Sequence, residues 1–259
     1  MKSVGFIGGG RITRIFLQGL HNSKVILDDL VISEPDQNVV KQLLAGEKNH
    51  HIVFGTSEEA GHQNWVFLAV HPPVLKTVLE ELKSVIKPDT VVMSLAPVLT
   101  INEISGLLEG HEKIARMIPN AASMINKGFN PLALSKGLSD KNRSELIGFM
   151  KKLGDCPEVA EEKLEAYAIL TAMGPTYLWP QIHTLTELGE QFGLTGEEID
   201  VGMQSMLAGA AELLFQGSLT YNQVLDLIPV KPMETEVDQM CEAYRAKLSG
   251  LYNKLKKKN

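Results

Sequence analysis

Short apolar runs alternate with helix-period segments along the first 160 residues of the chain. The runs are rich in Val and Ile and apolar throughout, as in strands buried on both faces of a parallel sheet. Between them apolar residues recur every three or four positions, as in Ile12, Ile15, Phe16 and Leu20, which indicates amphipathic helices. The runs predict strands at 3–7, 30–33, 52–54, 65–70, 91–94, 113–117, 132–134 and 156–159.

The pattern changes near residue 160. Before it, strands that alternate with helices predict right-handed crossovers and a doubly wound α/β sheet. After it no further strand is expected, and Thr195 with Glu198 has the spacing of a helix capping box. Gly193, just before this box, is suited to end the preceding helix. We therefore expect an α/β domain over residues 1–160 and an all-helical domain over residues 161–259.

Composition and charge exclude several classes of protein. The 25 Lys and Arg residues against 31 Asp and Glu residues give a net charge of −6, unlike the basic surface of a nucleic-acid-binding protein. No apolar run approaches the roughly 18 residues that a membrane span needs, and no secretory leader is evident. We expect a cytoplasmic protein with no nucleic-acid or membrane partner.

Metal and disulfide chemistry are not expected. Cys156 and Cys241 are too few for a disulfide framework or for a zinc site built from cysteines. His50, His51 and His62 share no helix face with a carboxylate or a cysteine. Histidines of ordinary loops account for them, so no metal site is predicted.

A glycine turn, Gly8-Gly9-Gly10, follows the first predicted strand and precedes the first helix. In such a turn the first glycine permits a tight reversal, and the second lets backbone N–H groups approach a pyrophosphate. The helix start then offers free N–H donors to the phosphate oxygens. Thr13 stands where a third glycine or an alanine is usual. The pattern predicts a Rossmann-type dinucleotide site, with an ordinary glycine turn as the structural alternative.

The second predicted strand ends in Ser33 and Glu34, where a Rossmann-type domain contacts the adenosine ribose. A carboxylate at this position accepts hydrogen bonds from the ribose hydroxyls and repels a 2′-phosphate. The cofactor is therefore expected to be NAD or NADP, with Glu34 favouring NAD slightly. If Glu34 points outward, Ser33 and nearby backbone are the groups that would hold a phosphate.

Several segments occur in one order that resembles a known family. They are VGFIGGGRIT, Ala69-Val70-His71-Pro72, Ser94-Leu95-Ala96, Arg116-Met117-Ile118-Pro119-Asn120, Gly174-Pro175-Thr176-Tyr177 and Gly193-Leu194. Together they resemble pyrroline-5-carboxylate reductase up to about residue 228. The resemblance implies an NAD(P)H-dependent reductase whose helical domain forms a homodimer. Its active site would lie between the nicotinamide of one subunit and the helices of the partner.

The resemblance also implies roles for individual residues. The pyrophosphate would be bound by Gly8, Gly10, Arg11 and Ile12, and the adenosine ribose by Ser33 and Glu34. The residues expected near the nicotinamide are Ala69, Val70, His71, Pro72 and Asn120. Those expected near the substrate are Met173, Gly174, Pro175, Thr176 and Lys231. Separately from the resemblance, imine reduction needs a proton donor, and the candidate catalytic residues are Thr235 and Glu236, with His71 and Tyr177 as further candidates. The structural alternatives are a solvated carboxylate for Glu236, a packed turn histidine for His71 and a core or interface side chain for Tyr177.

The chain departs from this family mainly where the substrate would bind. His71 replaces a lysine, Met173 replaces a serine, and His183 replaces a glutamate. The family's Ser-Pro-Gly-Gly-Thr-Thr loop, which receives the substrate carboxylate, is matched by residues 231–236, KPMETE. Paired glycines expose N–H groups that bind an anion. Here Met233, Glu234 and Glu236 add bulk and negative charge that one lysine, Lys231, does not offset.

Two functions follow from the sequence. The first is an NAD(P)H-dependent reductase of a C=N or C=O bond in a small imine or keto substrate, with 1-pyrroline-5-carboxylate reduced to proline as the default. The second is a catalytically silent paralogue that binds a dinucleotide and acts in regulation or assembly. The altered 231–236 loop motivates both the doubt about the substrate and the silent alternative.

Overall fold

The structure, a computed structural model, describes residues 2–27, 29–46 and 50–256. Its main sheet has the strand order β3-β2-β1-β4-β5-β6-β8, parallel except for β8, which runs antiparallel to β6. A small parallel pair joins β7 to β9. The strands are β1 (Val4–Ile7), β2 (Leu30–Ser33), β3 (Ile52–Phe54), β4 (Trp65–Leu68), β5 (Val91–Ser94), β6 (Ile114–Met117), β7 (Gly128–Phe129), β8 (Leu132–Leu134) and β9 (Gly154–Asp155).

Helices connect the strands and then form the rest of the chain. The connecting helices are α1 (Arg11–Asn22), α2 (Gln37–Gly46), α3 (Ser57–Gly61), α4 (Pro72–Leu82), α5 (Ile101–Leu107) and α6 (Asp140–Met150). The later helices are α7 (Leu164–Tyr167), α8 (Pro175–Gln191), α9 (Gly196–Gln216), α10 (Tyr221–Asp226) and α11 (Glu234–Lys256), with a π-helical turn at Ala168–Ala172. In the described residues no helix is both long and apolar enough to cross a membrane.

Alternate residues of the central strands enter two separate cores. Phe6 and Phe67 pack with Phe16 of α1 on one face of the sheet. Ile7 and Leu68 pack with residues of α3, α4 and α5 on the other face. Because successive side chains of a strand point to opposite faces, these two cores confirm the predicted doubly wound sheet.

The predicted strand at 156–159 is wrong. The segment makes only an isolated bridge between Glu158 and Leu132, through the bonds from Leu132 N–H to the Pro157 carbonyl and from Val159 N–H to the Leu132 carbonyl. Pro157 has no N–H to donate, so a regular ladder cannot pass through it. The strand β9 lies just before this segment and pairs with β7 instead.

The chain divides into two compact units, one running to Met173 and including residues from Leu251, the other spanning Gly174–Gly250. The division falls after the expected boundary at residue 160. Glu161 and Glu165 explain the difference, because their carboxylates form ion pairs with Arg116 of β6. This segment therefore packs with the sheet.

The second unit is helical, as predicted, and buries very little of its own apolar surface. Thr195 caps α9 through the expected box, Thr220 caps α10 through a second box of the same spacing, and Gly193 adopts a φ of +91° where α8 ends. Among residues 174–250 only Gly189 and Ile199 are buried. A β-carbon on Gly189 would lie 3.0 Å from Ile199, so the contact between α8 and α9 depends on this glycine.

Candidate functional site

The predicted cofactor residues of the first unit lie at one edge of the sheet. The segments around Gly8, Glu34, Ala69 and Asn120 follow the carboxyl ends of β1, β2, β4 and β6, which are parallel members of one sheet. The chain adds β2 and β3 on one side of β1, and then β4, β5 and β6 on the other side. The point between β1 and β4 is therefore the topological switch point of the sheet. In open α/β sheets ligands bind in the crevice at this switch point, so the structure brings these residues to the expected ligand edge.

The glycine turn has the backbone geometry of a phosphate-binding turn. Gly8 adopts a φ of +104°, and a β-carbon there would lie 2.6 Å from the Ala69 carbonyl oxygen. Gly10 is the N-cap of α1, and a β-carbon on it would meet nothing within 4 Å. No side chain caps α1 and its first turn contains no acidic residue. Its first N–H groups are therefore available to an anion.

Thr13 fits the third position of the glycine motif without a glycine. Its side chain is fully buried, and its hydroxyl donates to the Gly8 carbonyl at 2.6 Å. The hydroxyl thus ties the first turn of α1 to the positive-φ glycine. Thr13, in place of the usual glycine or alanine, therefore stabilises the turn. This hydrogen bond could not be predicted from the spacing of the motif.

Glu34 points inward, toward the glycine turn. One carboxylate oxygen accepts a hydrogen bond from the Gly9 N–H at 2.8 Å, and the other accepts from the Asp36 N–H at 2.9 Å. A β-carbon on Gly9 would lie only 3.0 and 3.1 Å from the Cβ and Cγ atoms of Glu34, so Glu34 packs closely against this glycine. A fixed negative charge therefore stands between the end of β2 and the expected pyrophosphate turn. The Ser33 hydroxyl lies 3.3 Å from that of Ser57.

The turn after β4 lies directly against the glycine turn. The Ala69 N–H donates to the Ile7 carbonyl at 2.8 Å, and a β-carbon on Gly8 would lie 3.2 Å from Val70. His71 is the N-cap of α4 and uses only its backbone there, while Pro72 begins the helix. The exposed imidazole of His71 makes no cap hydrogen bond and faces solvent at the ligand edge.

Asn120 forms hydrogen bonds within the first unit that could not be predicted from the sequence. Its side-chain oxygen accepts from the Ala122 N–H, and its side-chain nitrogen donates to the Thr171 carbonyl, both at 2.9 Å. Its own N–H donates to the Asn130 side chain. Asn120 thus fastens the π-helical turn Ala168–Ala172 to the end of β6, and its side chain is already engaged by the protein.

The predicted substrate and proton-donor residues lie at two helix starts. Met173 ends the first unit, and Gly174, Pro175 and Thr176 open α8. Lys231 precedes α11, and Thr235 and Glu236 lie in its exposed first turn.

Within the second unit these two helix starts do not meet. Tyr177 contacts Tyr244 of α11 with ring centroids 5.9 Å apart. Tyr244 is eight residues beyond Glu236, about 12 Å along the helix axis. Burial and the neighbouring Tyr244 raise the pKa of Tyr177, so its phenol stays protonated at neutral pH.

His50, one of the histidines considered for metal binding, is engaged by backbone groups. His50 is buried between the Leu27 N–H and the Leu17 carbonyl, with one ring nitrogen facing each group. No group of three or more His, Cys, Asp or Glu side chains is placed to hold a metal ion within the described ranges.

Comparisons with known proteins agree with this geometry. Residues 3–97 match the family model described as NADP oxidoreductase coenzyme F420-dependent. Human pyrroline-5-carboxylate reductase 2 is 25% identical over 217 residues, which cover 82% of this chain and 68% of that protein. The pyrroline-5-carboxylate reductase of Staphylococcus aureus is 21% identical over 237 residues, covering 91% of this chain and 87% of that protein.

Solved structures resemble nearly the whole chain. Plasmodium falciparum pyrroline carboxylate reductase, solved with NADP bound, gives a TM-score of 0.79 at 18% identity and covers 99% of this chain and 97% of that one. Coxiella burnetii pyrroline-5-carboxylate reductase gives 0.75 at 24% identity and covers 100% and 98%. These similarities establish the fold.

The sheet order and the glycine turn define a Rossmann-type fold with a helical second unit, and the family model that matches residues 3–97 describes NADP oxidoreductases. The sequence relatives given above are pyrroline-5-carboxylate reductases, and the solved structures share the fold of this chain.

Proposed function

We propose that the protein is an NAD(P)H-dependent reductase of a C=N or C=O bond, with 1-pyrroline-5-carboxylate as the first substrate to test. The observation that carries the proposal is the glycine turn, with Gly8 at positive φ and an uncapped start of α1 at the switch point of the sheet. Named pyrroline-5-carboxylate reductases resemble the chain over most of its length, which supports the choice of substrate.

The chemistry requires a hydride from the reduced nicotinamide and a proton for the nitrogen or oxygen that receives the electron pair. The turns after β1 and β4 would hold the dinucleotide. Thr235 and Glu236 are the proposed proton donors, with His71 as the alternative donor on the cofactor edge. Met173, Gly174, Pro175, Thr176 and Lys231 are the proposed substrate residues.

The first prediction is that the full-length protein oxidises reduced nicotinamide when given a cyclic imine. The assay follows nicotinamide absorbance with NADH and NADPH, first with 1-pyrroline-5-carboxylate and then with carboxylate-free cyclic imines and 2-keto acids. Because Glu234 and Glu236 stand in the first turn of α11, carboxylate-free imines are an informative arm. Turnover of any substrate supports the reductase. Dinucleotide binding without turnover across the panel would instead identify the silent paralogue.

The geometry of Glu34 favours NADH over NADPH. Two backbone N–H groups fix its carboxylate beside the glycine turn, and a 2′-phosphate at the adenosine ribose would meet this negative charge. Ribose hydroxyls, by contrast, can donate to it. A related structure contains NADP, so cofactor preference is a property to be measured on this chain.

The second prediction is that Glu34→Ser improves NADPH binding relative to NADH by about tenfold, because like charges near 4 Å repel by about 1–4 kcal/mol. Fluorescence titration of both reduced cofactors measures the ratio. Asp36→Asn is the matched control: it removes a neighbouring charge but keeps an oxygen for the Asn38 N–H that Asp36 now caps. An unchanged ratio in Glu34→Ser would contradict the assignment.

We also propose a homodimer formed through the second unit. Its large exposed apolar residues include Phe192, Phe215, Leu213 and Met206, and large exposed apolar patches mark protein interaction sites. Tyr177 contacts α11 about 12 Å along the helix axis from Glu236, which supports a site completed by a second copy, as the family resemblance implies.

A further inference from the structure

A buried ion triad joins the sheet to the segment that leads into the second unit. Arg116 of β6 is 1% exposed, and its two terminal nitrogens donate to Glu161 and Glu165, each at 2.8 Å. Glu165 is itself 3% exposed. The cofactor turns described above use none of these three side chains.

The triad reaches two segments at the ligand edge. The Glu161 oxygen that pairs with Arg116 also accepts the N–H of Ile101 at 2.7 Å. Ile101 begins α5 and directly follows the loop 95–100, which connects β5 to α5. On the other side, Glu161 and Glu165 precede the π-helical turn Ala168–Ala172, which Asn120 holds through Thr171. Single π-helical turns within helical segments frequently mark functional sites.

Stability alone does not account for this network. Two carboxylates face one guanidinium, and the Nε of Arg116 is buried without a hydrogen-bond partner in the described part of the chain. Buried ion clusters of this kind are often no more stable than apolar residues of similar volume, because desolvation offsets their attraction. What the rigid guanidinium does supply is direction, because its fixed donors hold two carboxylates at once.

We propose that Arg116 is a positioning residue of the proposed reductase site. Through Glu161 it fixes the loop 95–100 after β5, and through Glu165 it fixes the segment that ends at Met173. Both segments then keep a defined position at the carboxyl ends of β5 and β6. This inference rests on the proposed function for its catalytic consequence, but its structural consequence is measurable without turnover.

The experiment compares Arg116→Met, Arg116→Lys and the control Arg143→Met in the full chain. Arg143 also forms an ion pair with a glutamate of the following segment, Glu158, but it is more exposed. Hydrogen–deuterium exchange is followed in peptides 95–101, 161–173 and 4–12. In Arg116→Met we expect exchange at 95–101 and 161–173 to rise by about tenfold or more, with peptide 4–12 unchanged. Arg116→Lys should give a smaller rise, because an ammonium cannot engage both carboxylates as a fork.

Kinetics give the second readout, with 1-pyrroline-5-carboxylate as the probe. Arg116→Lys is expected to lower kcat/KM for the imine by about 10- to 100-fold, as misplacement of catalytic groups does. The Kd for the reduced cofactor should stay within about twofold, and Arg143→Met should match the wild type. If Arg116→Met does not fold, Arg116→Lys carries both readouts.

Two results would overturn the proposal. One is exchange that rises uniformly in all three peptides, which would show a merely structural role. The other is unaltered exchange at 95–101 and 161–173 in a folded variant. Lack of turnover in the wild type would count against the reductase alone, since the exchange measurement still decides the role of Arg116.

Discussion

Gly10→Ala is expected to abolish tight dinucleotide binding while leaving the fold intact. Gly10 has a φ of −70°, which alanine adopts readily, and its β-carbon would meet no protein atom within 4 Å. The same position is where backbone must approach a pyrophosphate. We expect the Kd for NADH and NADPH to rise by at least about tenfold, which corresponds to about 1.4 kcal/mol. Stability should stay constant or rise by about 0.4–1 kcal/mol, because alanine restricts the unfolded chain.

Gly8→Ala is the matched contrast, two residues away. It would force a side chain into a φ of +104° and place its β-carbon 2.6 Å from the backbone oxygen of Ala69. Strain at such a φ costs about 1–3 kcal/mol, and overpacking adds about 1–3 kcal/mol. We therefore expect losses of both stability and binding. Urea unfolding and cofactor fluorescence measure the two effects. Equal behaviour of the two variants in both assays would refute the assignment of separate roles to these glycines.

The second large effect is expected on assembly. The wild type should have a mass of twice 28.4 kDa, or 56.8 kDa, by light scattering at micromolar concentration. Met206→Glu combined with Leu213→Glu should shift it to the monomer mass. Both residues lie seven positions apart on α9 and are exposed in the single chain, at 46% and 41%. Unpaired carboxylates buried in an interface cost several kcal/mol, so we expect the dimer Kd to rise by more than about a hundredfold.

The monomer should also lose helical signal. Residues 174–250 bury only Gly189 and Ile199, and a small unit with so little core needs its apolar surface covered to stay folded. Val53→Glu on β3 is the control, since it places one carboxylate at an exposed apolar position of the first unit. A monomeric wild type would defeat the dimer proposal.

The pattern of apolar residues predicted most of the first unit. Strands buried on both faces need continuous apolar runs, so β1, β4 and β5 were predictable without the structure. The segment 156–159 also reads as an apolar run, but Pro157 prevents a ladder there. The limits of the unit were harder to predict, because the ion pairs of Glu161 and Glu165 with Arg116 join residues some 45 positions apart.

Part of the candidate site could be predicted from the sequence. The spacing of Gly8 and Gly10 after a strand indicates a dinucleotide turn, and the structure gives both residues suitable backbone angles. Three charged residues of the ion triad were visible in the sequence, but their pairing was not predictable from it. Arg116 is a charge inside an apolar strand, and Glu161 and Glu165 are four residues apart on a helical segment. Neither feature predicts which residue its side chain will pair with.

The sequence by itself determined the order of the first six strands, the capping box of α9 and the glycine turn, because each depends on residues within a few positions of one another. Tertiary structure decided the direction of Glu34, the engagement of Asn120 with Thr171 and the burial of Arg116 between two glutamates. Apart from the bond that the Asp36 N–H donates to Glu34, these contacts join residues 25 to 51 positions apart. Local propensity carries no information about which distant group will face a side chain once the sheet has formed.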